Sequence, residues 1–124
     1  ESYSDKHRAS WVDRFDTTVD DMFEDYVFPQ ENGSHYNCQY ASVGNLYAKG
    51  KKPFSFQALR YSEKELDEKA HNFELVPSDG IYVALDYKQS GIGSNSCGPR
   101  LAEKYQIREE KIEWEISLRF DNKN

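Results

Sequence analysis

The stretch with the most chemical scope is Gln89-Ser90-Gly91-Ile92-Gly93-Ser94-Asn95-Ser96-Cys97-Gly98-Pro99, small polar residues bracketed by glycines. Such a loop lets a ligand approach backbone closely, because glycine leaves no Cβ in the way. It is not a phosphate loop: it lacks a Gly-Lys-Ser/Thr ending, and Ser96 stands where a dinucleotide fingerprint has its third glycine. It contains no Gly-x-Ser-x-Gly and so is not a nucleophile elbow. Two readings remain, a long turn between strands and a ligand-facing loop.

Other reactive groups are isolated. Cys97 as a nucleophile needs a histidine beside it, and His71, the only histidine in the second half of the chain, carries no signature linking the two. His35 and Cys38 are three apart, a spacing that puts them on opposite faces of a regular strand and argues against a metal pair. With no CxxC, Cys38 and Cys97 read as two reduced thiols. Acid-base hydrolysis of a glycoside needs two carboxylates roughly 5–10 Å apart, and none of the 22 acids is singled out. Asp20-Asp21 and Glu24-Asp25 suit the positive end of a helix, and Glu113 and Glu115 alternate outward as a solvated face. Asn32-Gly33-Ser34 matches a glycosylation acceptor, a pattern short enough to arise by chance.

The elements that must hold these residues are mostly strands. Residues 1 to 16 show neither helical nor alternating periodicity. Thr17 to Tyr26 predicts a short helix with a threonine cap and Val19, Met22, Phe23 and Tyr26 on one face, and Asn32-Gly33 then signals a turn. Tyr36 to Tyr47 and Phe54 to Leu59 read as strands joined by a turn at Gly50-Lys51-Lys52-Pro53. Ser62 caps a charged helix over Glu63 to Ala70 that turns Leu66 and Ala70 inward. After a turn at Pro77-Ser78-Asp79-Gly80, Ile81 to Tyr87 places Ile81, Val83, Leu85 and Tyr87 on one face. Lys111 to Phe120 alternates throughout, with Ile112, Trp114, Ile116, Leu118 and Phe120 inward.

Composition bounds the rest. The 124 residues fit one domain without repeats or linkers, and a net charge of −6 weighs against a nucleic-acid partner. No apolar run approaches the ~18 residues of a membrane span, and Glu1-Ser2-Tyr3-Ser4-Asp5 is unlike a signal peptide, so a soluble protein is expected. Nine tyrosines, seven phenylalanines and two tryptophans supply the bulk of the core. One all-β unit with a few short helical turns follows.

Three stretches resemble the C-terminal part of the bacterial lac-type β-galactosidases of glycoside hydrolase family 2. Asp20 to Gly33 (Asp-Asp-Met-Phe-Glu-Asp-Tyr-Val-Phe-Pro-Gln-Glu-Asn-Gly) is similar to the family's Asp-Met-aromatic-x-x-Tyr-x-x-Pro-x-Glu-Asn-Gly segment. Phe54-Ser55-Phe56-Gln57-Ala58-Leu59-Arg60-Tyr61-Ser62, followed by Leu66 and His71, resembles its Phe-x-Phe-x-x-x-Arg-Tyr-Ser/Thr, Leu and His pattern. Leu85 to Cys97 resembles its loop of Asp-x-x-x-x-Gly-x-Gly followed by Ser-Trp/Cys. The likeness runs in order from Glu1 to Phe120, and Glu1-x-Tyr3-x-Asp5 resembles the end of a motif that lies inside the domain, so the chain is expected to begin mid-domain and leave a sheet edge or apolar patch uncovered.

The resemblance implies an antiparallel β-sandwich of the super-sandwich, galactose-mutarotase-like kind, with residues 1–124 forming the C-terminal portion of the last domain. It implies that the catalytic glutamates lie on a separate barrel, so that no catalytic residue is expected here, while Gly93, Asn95, Ser96 and Cys97 line one wall of a galactoside pocket. Cys97 occupies the position where the best-known members present a stacking Trp; a thiol gives contact area without a π face. No cofactor is expected in this chain. The parent's Mg and monovalent cation would be held mainly by other domains, and the parent would be a cytoplasmic homo-oligomer acting on lactose-type substrates without membrane or nucleic-acid partners. The alternatives are a stand-alone carbohydrate-binding domain and an oligomer-contact domain.

Overall fold

The computed structural model describes residues 13–23, 33–88 and 102–122. Antiparallel sheet dominates: β1 (His35–Val43), β2 (Leu46–Leu59), β3 (Tyr82–Asp86) and β4 (Ile116–Phe120) form one four-stranded sheet, joined by α1 (Val19–Met22), α2 (Glu63–Glu68) and single 3-10 turns at Asn72–Glu74 and Glu103–Tyr105. The all-β expectation is met.

The 14-residue strand β2 is the spine. β1 lies along one edge, from Val43↔Leu46 to His35↔Phe56. The other edge is shared, with β4 on Leu46 to Gly50 and β3 on Ser55 to Leu59.

The turn expected at Gly50 to Pro53 lies elsewhere. Gly44-Asn45 closes the β1–β2 hairpin in two residues, with Gly44 at φ +57° as a tight hairpin turn requires. Gly50 to Pro53 instead remain within β2 as a bulge: two steps along β1, Tyr40 to Cys38, face five along β2, Lys49 to Phe54. Gly50 permits it, because a Cβ there would stand 2.3 Å from the Lys52 carbonyl oxygen. Pro53, with no N–H to leave unpaired, suits such a position. A second bulge lies in β1 between His35 and Cys38, where Asn37 takes the left-handed region at φ +55°.

Both α-helices are single short turns set by their caps. Thr18 Oγ1 accepts from the Asp21 N–H at 3.1 Å, and Ser62 Oγ accepts from the Glu65 N–H at 3.0 Å. Met22 and Leu66 are the buried anchors. Ala70, expected inward, is exposed because α2 stops at Glu68 and the chain is extended at Lys69.

Ala41, Ala48 and Phe54 form the core cluster, with Cys38, Phe56, Leu85, Trp114 and Ile116 packed against it. Phe54 is 1% exposed, a burial that contributes about 1.5–3 kcal/mol. The β4 register puts Ile116, Leu118 and Phe120 opposite Gly50, Ala48 and Leu46, so the predicted alternation is correct in which face it selects. It is not correct in coverage: Leu118 is 52% and Phe120 64% exposed, and Ile112 is exposed as well.

Candidate functional site

The candidate site residues Gly93, Asn95, Ser96 and Cys97 lie outside the described residues. What the structure gives is the framework on either side of them. β3 and β4 run in the same direction along one edge of β2, with Asp86 opposite Ser55 and Ile116 opposite Gly50. β3 therefore ends at Asp86 on one side of the Gly50 to Pro53 bulge, and β4 begins at Ile116 on the other. Lys51 braces the return: its N–H donates to the Glu115 carbonyl at 3.4 Å, and its Nζ meets Glu115 Oε2 at 2.7 Å.

Where the chain leaves β3 it is clamped to the returning limb. Glu109 Oε1 accepts from Lys88 Nζ at 3.0 Å and from the Tyr87 hydroxyl at 3.3 Å, while Oε2 accepts from the Arg108 N–H at 3.0 Å. The Lys88 ammonium, then the surrounding backbone N–H groups, lower the Glu109 carboxyl to about 2. Sequence reading missed this clamp, since 21 residues separate Lys88 from Glu109 and no local pattern joins them.

The two stretches before the loop are tied to each other. Arg60 Nε donates to Asp20 Oδ1 at 2.7 Å, and the rings of Phe23 and Tyr61 lie 4.9 Å apart, tilted by 52°. Gly33, at φ +62°, backs onto Met22 so closely that a Cβ would stand 2.1 Å from its carbonyl oxygen.

The remaining candidates have structural positions. Asp21 belongs to the α1 cap. His71 stacks on Phe73 with ring centroids 5.2 Å apart, and its N–H donates to Glu74 Oε2 at 2.9 Å. The β1 bulge reverses the parity expected of His35 and Cys38: their partners, Phe56 and Phe54, are two apart, which puts both residues on one face. His35 Nδ1 lies 2.9 Å from the Gly33 carbonyl oxygen, and Cys38 Sγ donates to the His35 carbonyl at 3.6 Å. Burial raises the Cys38 thiol, which disfavours the thiolate. Among the described residues no three His, Cys, Asp or Glu side chains converge on a metal-sized site. A groove of about 350 Å³ between β2, β3 and α2 is lined by Leu59, Tyr61, Leu66 and Tyr82, with Glu63 as its carboxylate. Among the described residues a second carboxylate, needed for two-acid hydrolysis, does not line it. Among the described residues no helix is long and apolar enough to cross a membrane.

The described residues define the class as an antiparallel, mostly-β domain with a few short helical turns. Residues 1–120 match the family model described as beta galactosidase small chain, and the chain belongs to that family. It is 46% identical over 121 residues to a beta-galactosidase of Actinobacillus pleuropneumoniae, covering 98% of this chain and 12% of that protein. With a beta-galactosidase of Staphylococcus xylosus it shares 42% identity over 123 residues, 96% of this chain and 12% of the relative. With that of Kluyveromyces lactis the figure is 32% over 127 residues, 98% and 12%. The chain thus spans about 12% of the length of these relatives.

Proposed function

We propose that this chain is the part of a β-galactosidase that forms one wall of the sugar pocket, in a parent that hydrolyses terminal β-galactosides of the lactose type. The observation that carries the reading is the match of residues 1–120 to the family, with relatives of the same name in which this segment is a small fraction. The segment containing Gly93, Asn95, Ser96 and Cys97 supplies the wall. The two glutamates that cleave the bond lie on another domain of the parent, so the isolated chain is inactive. The parent retains anomeric configuration through a covalent galactosyl intermediate. Its Mg and monovalent cation are held mainly by other domains, and it works as a cytoplasmic homo-oligomer.

Chemically, the wall's task is contact and orientation. Backbone at the glycines comes close to the sugar, Asn95 and Ser96 offer polar partners for its hydroxyls, and Cys97 offers apolar contact. The test is Cys97→Trp in the full-length parent: KM for a nitrophenyl β-galactoside should shift, with folding intact. Unchanged kinetic constants remove Cys97 from the pocket. Titration of the isolated chain with lactose should give no saturable signal; saturable binding would favour a stand-alone carbohydrate-binding domain.

A further inference from the structure

We infer that the face of the sheet carrying Leu46, Leu118 and Phe120 is a docking surface inside the parent, covered by an uncharged apolar layer from another part of the same polypeptide. The inference rests on the reading that this chain is one part of a longer β-galactosidase. The two faces of the sheet differ in kind. One carries the buried cluster Ala41, Ala48 and Phe54, and the register extends it through Ile116 opposite Gly50, Leu118 opposite Ala48 and Phe120 opposite Leu46. The other carries Tyr47, paired with Ser42 and Arg119, and Lys49, paired with Tyr40 and Ser117. There the Arg119 guanidinium stands 4.6 Å from the Tyr47 ring centroid, so that aromatic already has a charged, water-compatible cover.

Along the apolar face burial fails while the chemistry stays the same. Ala48 is 3% exposed, yet its cross-strand partner Leu118 and the next residue on that face, Phe120, are more than half exposed. A sheet buries its apolar face against a second layer. Among the described residues there is one sheet, and α1 and α2, of four and six residues, rise only about 6 and 9 Å, too little to supply that layer. The relatives have the length to provide it, since this chain corresponds to about 12% of each. A segment of the same polypeptide is also held at a high effective concentration, which a second molecule has to match. Its contact surface is uncharged because Leu46, Ile116, Leu118 and Phe120 offer no partner to a buried charge.

Hydroxyl-radical footprinting of the unaltered full-length parent tests the cover. Leu118 and Phe120 are expected to oxidise at least roughly tenfold more slowly in the native parent than in urea. Tyr40, 57% exposed on the opposite face, is expected to slow far less. Leu118 and Phe120 protected no better than Tyr40 overturn the inference. The occupant is read from Phe120→p-benzoylphenylalanine, photolysed in oligomers reassembled from equal amounts of isotopically heavy and light parent. Cross-links from position 120 should reach residues outside 1–124 and never join heavy to light. Heavy–light pairs assign the face to a second copy, and cross-links within 1–124 assign it to this segment itself; either result overturns the inference. The size of the native protein separates the two readings. A protein no longer than this chain removes the parent and the inference together, whereas a full-length β-galactosidase in which Phe120 oxidises freely removes the inference alone.

Discussion

Arg60 and Asp20, forty positions apart, meet through Nε and Oδ1 at 2.7 Å and join the end of β2 to the first turn of α1. With the Phe23–Tyr61 ring contact beside it, this pair docks two of the stretches that carry the family resemblance onto one another. The similarity along the chain therefore marks a contact surface as well as a set of separate motifs.

Removing that pair should cost little, because both partners are substantially exposed, 41% for Arg60 and 68% for Asp20. Asp20→Ala is expected to lower stability by about 0–1 kcal/mol in denaturant unfolding, with the larger end of the range at low salt. A loss well above that would mean that α1 undocks as a unit.

Gly33→Ala should be more damaging. It places a Cβ 2.1 Å from the Met22 carbonyl oxygen and does so at φ +62°. The left-handed conformation alone costs about 1 kcal/mol for alanine, and relieving the overlap requires backbone movement. A midpoint unchanged from the parent sequence would show that α1 shifts freely.

For Glu109 the sign of the pH dependence is defined. Its carboxyl is lowered from 4.5 to about 2 in the folded chain, so the stabilisation it contributes is present above about 4.5 and is lost as pH falls from there through about 2. NMR titration should find the Glu109 carboxylate midpoint near 2 and, in Lys88→Met, closer to the ordinary value. An ordinary midpoint in the unaltered chain would mean that the clamp does not form.

The uncovered face of β4 should make the isolated chain self-associate. Leu118 and Phe120 are more than half exposed on the same face as Leu46, and Ile112 adds to the exposed apolar surface. Sedimentation at increasing concentration should show association that Leu118→Lys with Phe120→Lys reduces, while Ser117→Lys, on the opposite face, leaves it unchanged. A monomer at every concentration would count against an open apolar face.

Much of this protein is decided locally and is therefore legible in its residues. The alternation of Ile116, Leu118 and Phe120 selects a face because side chains in a strand alternate regardless of what lies beyond them. Thr18 and Ser62 cap their helices through bonds three residues long, and Gly33 occupies the left-handed region a turn signal requires. The family likeness is carried by three continuous stretches, Asp20 to Gly33, Phe54 to Ser62 and Leu85 to Cys97. Tertiary structure decided what depends on distant partners. The extra residues at Gly50 to Pro53 look like a turn in isolation and become a bulge because β1, β3 and β4 hold the strand on both sides. The β1 bulge puts His35 and Cys38 on one face, which spacing alone denies. Whether Leu118 is covered, and that Lys88 finds Glu109, are set by packing between segments far apart in sequence, where periodicity carries no information.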